Sequence, residues 1–469
     1  MTRGIRAMRT YLPVTRLERD SVVAAHRWAY PSRRHVGKLA TANWDEDSIT
    51  MARTACSDLA VDGHALHFCS TTAPFAERAN AGLLRQSLGW PDSTLVVDHG
   101  GSMRAGSTAC YQQLTHSTGR AIVVAADKRL AKPASEQELQ FADAAVAIDI
   151  GSDDLVCEYL GGATLSVDFV DRYRSAGEPF GYAFEQRWVR DEGVSRHVPP
   201  AIQSALDDAA VDVSAVDHLV ANLPARGRQA IAKSVGMSKA VTDSALDEDV
   251  GDAGCVQPLL ALAEVLEQAK PGATIVIVAF GQGVDVLVLR VNRPVDTGFQ
   301  QQLAAGRDDS NYLRFLSHRG LLDLDWGKRT ERDVRTAQSA YFRESDQISA
   351  FVGGRCPVCG TVQFPRTQAC VNPDCRHIGE QEPYSLVGAK GRVKSFTEDW
   401  QAYSPDPPLI YGNVEFEDGA NILMQFTDAQ SGEVSVGVVV TPSFRVKDID
   451  ERRHFRRYFW KATLARGVH

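Results

Sequence analysis

Ser93-Thr-Leu-Val-Val-Asp-His-Gly-Gly-Ser-Met-Arg-Ala-Gly-Ser-Thr-Ala-Cys110 reads as a strand, a glycine turn and the start of a helix. That order presents one side chain at the positive end of a helix, where a thiol is held as thiolate and developing negative charge is stabilised. The side chain presented here is Met103. A thioether cannot attack a carbonyl carbon. Gly100 and Gly101 serve the turn rather than a dinucleotide, because no G-x-G-x-x-G pattern opens the helix.

Outward from this stretch, short β-rich apolar runs alternate with helical patterns from Asp62 to Val291, which is the mark of α/β layering with buried strands. The expected strands are Ala65–Cys69, Leu95–Asp98, Ala121–Ala125 and Ala145–Asp149, then Ala163–Asp168, His218–Ala221, Thr274–Phe280 and Val284–Val291. The similar rhythm of the two series suggests a duplicated fold. From 294 to 350 the residues take the spacing of exposed helices (Asn311–Leu316 and Arg329–Gln338), which predicts a helical connector. Beyond 385, short alternating strands separated by Gly, Pro and Asp turns predict a small closed β-barrel.

A length of 469 residues allows roughly three units at about 150 residues each. Apolar content of 44%, charged content of 23% and a net charge of −8 fit an ordinary water-soluble chain and give no general attraction to nucleic acid or anionic lipid. No run approaches the roughly 20 apolar residues of a membrane span, and no apolar segment follows the charged N-terminus, so a cytoplasmic protein is expected. Five of the nine cysteines (Cys56, Cys69, Cys110, Cys157 and Cys255) lie scattered in apolar contexts, as buried free thiols do.

The other four form Cys356-Pro-Val-Cys359 and Cys370-Val-Asn-Pro-Asp-Cys375, a C-x2-C-x10-C-x4-C pattern. Two turns with paired thiolates close a tetrahedral shell around zinc and leave no position for substrate or water, so a structural zinc ribbon over 351–384 is expected. His377 is a bystander to a shell already complete. An iron site or an empty ribbon are the alternatives.

With these pieces in order, residues 1–293 resemble the hydroxymethylglutaryl-CoA synthase and ketoacyl synthase III branch of the thiolase superfamily. The resemblance is carried by Asp45–Ala52, Gly101–Gly106, Val250–Gly254 and Gln268–Gly283. Residues 351–469, ribbon followed by an OB-fold barrel over 385–469, are similar to the zinc-ribbon and OB-fold proteins that accompany thiolase-like enzymes acting on acyl-CoA. The resemblance implies a five-layer duplicated α/β/α fold with a zinc ribbon and an all-β OB-fold, coenzyme A as part of the substrate, and a homodimer. It leaves open a partner such as a hydratase from the same pathway.

In that family a Cys accepts the acyl group, a His and an Asn handle the thioester carbonyl, and some members add an acidic Glu. The matching positions here hold Met103, Asn222 of Ala-Asn-Leu-Pro, Asp252 of Val-Gly-Asp-Ala and, within one residue, Thr71. None of the four groups is retained. An acyl-enzyme route is therefore not expected, and proton transfer alone suits cleavage of a β-hydroxyacyl-CoA. The first expectation is accordingly a CoA-thioester aldolase, a carbon–carbon lyase, with Asp252 as base and Asn222 as donor to the thioester oxygen. The backbone N–H groups of Met103 and Gly283 are the oxyanion candidates. His99 and Tyr182 are further acid/base candidates, and Arg226, Arg228 and Lys233 could meet CoA phosphates.

Each of these has a plainer explanation. Asp252 is a good N-cap, Asn222 a turn amide and Thr71 a strand-end hydroxyl. His99 and Tyr182 pack as readily as they react, and the basic run suits a solvated face. The alternatives to the aldolase are a Claisen-type acyltransferase of the hydroxymethylglutaryl-CoA synthase kind, recognisable by a covalent adduct, and a non-catalytic acyl-CoA-binding scaffold.

Overall fold

The computed structural model describes residues 2–59, 65–241, 244–322, 324, 337–450 and 452–465, so most of the expected helix over Arg329–Gln338 lies outside the described residues. The chain forms two compact units. The first comprises Met1–Ala42, Asp47–Gly82 and Asp92–Tyr312; the second comprises Asn43–Glu46, Leu83–Pro91 and Leu313–His469.

The first unit is built on strands β1 (Gly4–Tyr11), β2 (Ala65–Cys69), β3 (Leu95–His99), β4 (Ala121–Lys128), β5 (Asp143–Gly151) and β6 (Cys157–Ser166). A two-residue hairpin, β7 (Arg172–Tyr173) with β8 (Tyr182–Ala183), follows, and then β9 (His218–Ala221), β10 (Thr274–Phe280) and β11 (Gly283–Val291). The nine-stranded sheet runs β9-β10-β11-β6-β1-β5-β4-β2-β3. The sequence β2-β4-β5-β1 on one side repeats as β9-β10-β11-β6 on the other. In each, the first pair is parallel and the next two are antiparallel. Within the sheet the halves pair where Gly4 and Ile5 of β1 lie against Glu158 and Cys157 of β6. All eight expected strands form, with β6 beginning earlier than its apolar run because it pairs along the whole of β11.

Helices α1 (Ser48–Ala55), α2 (Ala105–His116), α3 (Ser195–Ala209) and α4 (Gln257–Leu266) supply the layers. On β10, Ile275 and Ile277 face one core with α2 and α4, while Val276, Val278 and Phe280 face another with α3. A period of two with both faces apolar is what a strand between two helical layers requires. Gly106, in the first turn of α2, lies close against the start of α4 and the residues leading into it: a Cβ there would stand 3.1 Å from the Cys255 carbonyl oxygen and 3.0 Å from Leu259 Cδ1. The two central helices therefore converge at their starts.

In the second unit, β12 (Val352–Arg355), β13 (Val362–Gln363) and β14 (Glu382–Ser385) make the ribbon sheet. Strands β15 (Gly391–Asp399), β16 (Leu409–Phe416), β17 (Asn421–Gln425), β18 (Val439–Asp450) and β19 (Phe455–Leu464) run in the order β17-β16-β15-β18-β19. A bridge between Phe426 and Ala462 draws the two ends together. The acidic segment before α1 divides its work. Asp47 caps α1 by accepting from the Ile49 and Thr50 N–H groups, whereas Asp45 and Glu46 pair with the buried Lys461 (2.8 Å) and Arg445 (3.2 Å) of the barrel.

Candidate active site and metal centre

Met103 is half-buried and its Cβ faces the Gly281–Gly283 turn between β10 and β11; a Cβ on Gly281 would lie 3.1 Å from it. Residues beside Met103 clamp that turn. Ser102 Oγ donates to the Gly281 carbonyl (3.1 Å), as does Arg104 Nε (2.8 Å), and Arg104 also pairs with buried Asp285 (2.6 Å). Gly283 holds φ +126 with the Leu165 carbonyl 2.1 Å from where a Cβ would sit, so only glycine closes this turn. Thus Met103 and Gly283, distant in sequence, share one turn.

A second centre gathers at the start of α4. Asp252 Oδ2 lies 2.7 Å from Arg129 and 3.3 Å from Arg172, and its Oδ1 accepts from the Gly254 N–H at 2.9 Å. Burial alone would raise the Asp252 carboxyl, but the two guanidinium charges and that N–H outweigh it and hold it well below the usual carboxylate range. Thr71 donates its hydroxyl (2.9 Å) and its N–H (2.7 Å) to Asp127, which also accepts from Ser70, Thr72 and the Cys255 N–H. Asp127, Arg129 and Arg172 were not singled out by the sequence reading. Asp127-Lys-Arg129 stands at the carboxyl end of an otherwise apolar strand, and charges at that end were the available signal.

Of the remaining candidates, Asn222 borders the Met103 turn through Phe280 and the others lie apart from it. Both polar atoms of the Asn222 side chain are taken by Phe280, whose carbonyl accepts at 2.8 Å and whose N–H donates at 2.7 Å. His99 pairs with His67 (Nε2 to Nδ1, 2.8 Å), and burial lowers both imidazoles, His67 to about 4. Tyr182 is 57% exposed on the hairpin. Arg228 is buried against Asp247 and donates to the Leu223 carbonyl, while Arg226 and Lys233 are exposed.

All five scattered cysteines are buried. Burial pushes Cys56, Cys110 and Cys157 up to about 12, and Cys69 and Cys255 well above the ordinary thiol value. None can serve as a thiolate nucleophile near neutral pH.

In the ribbon the thiols are gathered rather than scattered. Cys356, Cys359, Cys370 and Cys375 bring their sulfurs within 4.8 Å of one another, with pairs at 3.9 and 3.6 Å. A tetrahedral shell with metal–sulfur bonds of about 2.3 Å has edges of about 3.8 Å, so the four thiols fit a single metal ion.

A strand, a turn and a helix start, repeated by internal duplication so that two helix starts face each other, define a thiolase-type condensing-enzyme fold. Comparison with known proteins agrees. No family model matches the chain. A hydroxymethylglutaryl-CoA synthase from Caldivirga maquilingensis is 26% identical over 301 residues, 60% of this chain and 85% of the relative. A DUF35 domain-containing scaffold protein from Methanocaldococcus jannaschii is 35% identical over 117 residues, 24% of this chain and 79% of the relative. The crystal structure of an HMG-CoA synthase complexed with CoA superposes with a TM-score of 0.59 at 11% identity, covering 72% of this chain and 95% of that one. The chain has a thiolase-like fold, is similar to hydroxymethylglutaryl-CoA synthases over that part, and carries a DUF35-type ribbon and barrel.

These findings overturn the expected aldolase. The relatives are named as synthases, condensing enzymes rather than lyases. The physical reason lies at Asp252: a carboxylate gripped by two arginines binds a proton too weakly to draw one from a hydroxyl. Among the described residues no helix is long and apolar enough to cross a membrane.

Proposed function

We propose that this chain binds an acyl-CoA thioester where α2 and α4 begin and acts as a Claisen-type acyltransferase of the hydroxymethylglutaryl-CoA synthase kind. Its relationship to those synthases supports the substrate class, and the Arg226 and Lys233 side chains, exposed seven residues apart on one helix, suit CoA phosphates. The observation that carries the mechanism is the absence of a usable thiol among the described residues of the first unit: Met103 stands at the helix start and every cysteine there is buried as a neutral thiol. Transfer is therefore direct. Solvent takes the Cα proton of one bound thioester, the resulting carbanion attacks the carbonyl carbon of a second, the C–S bond of the second breaks, and the CoA thiolate leaves and is protonated from solvent. The N–H groups of Met103 and Gly283 would carry the oxyanion.

Zinc is the ion the all-thiol shell suits best, held by Cys356, Cys359, Cys370 and Cys375 as a structural centre. A further pathway enzyme docking on the DUF35-type unit fits the naming of the archaeal relative as a scaffold, and a homodimer is what the thiolase-type resemblance implies.

A second reading, an acyl-CoA-binding subunit without chemistry, is favoured by the side chains of Asn222, Thr71 and Asp252, all engaged by the protein itself. One experiment separates the readings. Mixed with acetyl-CoA and acetoacetyl-CoA, a direct acyltransferase releases CoA, yields a condensed product and shows no added mass on the intact chain. A stoichiometric adduct would establish the covalent route, and tight binding without CoA release would establish the scaffold.

A further inference from the structure

The β7–β8 hairpin is tied to the candidate site without being packed into the protein. From Arg172 to Trp188 no residue is buried. The base of the hairpin is closed by the Phe184 N–H, which donates to the Asp171 carbonyl at 2.8 Å, and its two strands pair only through Arg172 with Ala183 and Tyr173 with Tyr182. A segment that buries no apolar side chain is held down by polar contacts alone, which puts it at the low end of local stability.

Those contacts end on three separate parts of the site. Arg172 pairs with Asp252 ahead of α4 at 3.3 Å, and Arg174 donates to the Thr71 carbonyl after β2 at 2.8 Å. The Arg172 carbonyl accepts at 2.8 Å from Gln282, in the β10–β11 turn that Met103 faces. The hairpin therefore bridges the Thr71 turn, the α4 start and the Gly281–Gly283 turn. Its hold on Asp252 is the weaker of two. Arg129, 4% exposed, grips the carboxylate from the buried side, whereas the Arg172 and Asp252 side chains are each 32% exposed. Asp252 thus keeps a counter-charge when Arg172 departs, and Arg172 departs into water.

We propose that Asp171–Phe184 is a strap lying shut across the thioester site, latched by Arg172 to Asp252 and by Arg174 to the Thr71 carbonyl, and that an acyl-CoA thioester enters when both latches part. The proposal rests on the acyl-CoA reading above and adds the step that limits entry. Asp252 is then the catch for the strap, a positioning residue with one fixed arginine and one releasable arginine.

The test is stopped-flow mixing of the full chain with the fluorescent etheno-adenine form of acetyl-CoA, binding being read as a rise in anisotropy. In the wild-type chain the observed rate should level off with increasing ligand, at the rate of strap opening. In an Arg172→Gln, Arg174→Ala chain it should pass that plateau by roughly tenfold, the scale on which two weak polar contacts together shift an equilibrium. Loss of two positive charges by itself slows the approach of an anionic ligand, so the direction of the change separates release of the latches from altered steering. Arg174→Ala alone alters an exposed side chain, leaves the Asp252 pairs in place, and should give a smaller gain in the same direction. A wild-type rate that stays linear in ligand, or variants that bind no faster, overturns the strap and leaves acyl-CoA binding intact. Absence of binding in the wild-type chain and in both variants overturns the acyl-CoA reading, and the strap falls with it.

Discussion

The ribbon and the start of α2 treat sulfur in opposite ways. In the ribbon, four thiols from two turns converge at the surface with spacings a single ion would span. In the first unit, thiols are dispersed through apolar cores, and the position where one could be activated holds Met103 instead. A helix start lowers a thiol's pKa only when the thiol is there to be lowered; burial elsewhere raises it. The contrast teaches that sulfur count says little about chemistry. What decides is which sulfurs are gathered at one partly open point.

The largest effect should come from breaking the ribbon. Cys370→Ser, or stripping with a strong chelator, should take bound metal from one ion per chain to none. It should also unfold the ribbon, since metal binding in such shells contributes on the order of 10 kcal/mol to folding. Elemental analysis and near-ultraviolet circular dichroism report both, and a fully folded, metal-free ribbon would break the comparison. The next effect is a gain. Met103→Cys places a thiol at the start of α2, and intact mass after mixing with acetyl-CoA should rise from no adduct to nearly one acetyl group per chain. An unmodified variant that still binds CoA would show that the turn does not present this position to a thioester.

Much of this molecule can be read along the chain and much cannot, and the division has a physical basis. Strands such as Thr274–Phe280 declare themselves because every residue is apolar and two faces must be covered. The ribbon is legible because its ligands lie within 20 residues of sequence and thiolate chemistry permits few other uses. Asp252 stands before its helix as its sequence context implies, yet its function turns on Arg129, 123 residues away, and Arg172, 80 residues away. Asn222 likewise looks available until Phe280, 58 residues on, takes both ends of its amide. Periodicity fixes which way a residue faces; it does not name the partner already waiting there. The same limit hid the placement of Asp45 and Glu46 against the barrel's Arg445 and Lys461.

The Asp252 centre gives the next prediction, because it separates a structural carboxylate from a reactive one. Asp252→Asn leaves Arg129, whose side chain is 4% exposed, without its main counter-charge. Stability to urea should fall by about 3 kcal/mol, toward the low end for a buried pair because about a third of the Asp252 side chain is open to water. Arg129→Met in the same chain should recover part of the loss, as coupled partners do. A change below about 0.5 kcal/mol would mean the pair is idle and would return Asp252 to the candidates for proton transfer.

The smallest effect concerns His67 and His99, beside the strand that leads to Met103. Burial and the neighbouring His99 hold the His67 imidazole at about 4, against an ordinary value of 6.5. Unfolded chains therefore take up a proton at His67 as pH falls below about 6.5, while folded chains stay neutral there until about 4. Proton uptake by the unfolded state alone favours unfolding, so stability is full above pH 6.5 and declines through that window. Allowing for solvent screening, the decline should be about 2 kcal/mol between pH 7 and pH 4.5. Asp98 acts in the other direction by raising His99, so the slope belongs to the pair rather than to His67 alone. His67→Gln should flatten urea-midpoint curves measured across that range. An unchanged slope in the variant would place the acid sensitivity elsewhere and remove the imidazole pair from the groups that distinguish the α2 start from the ribbon.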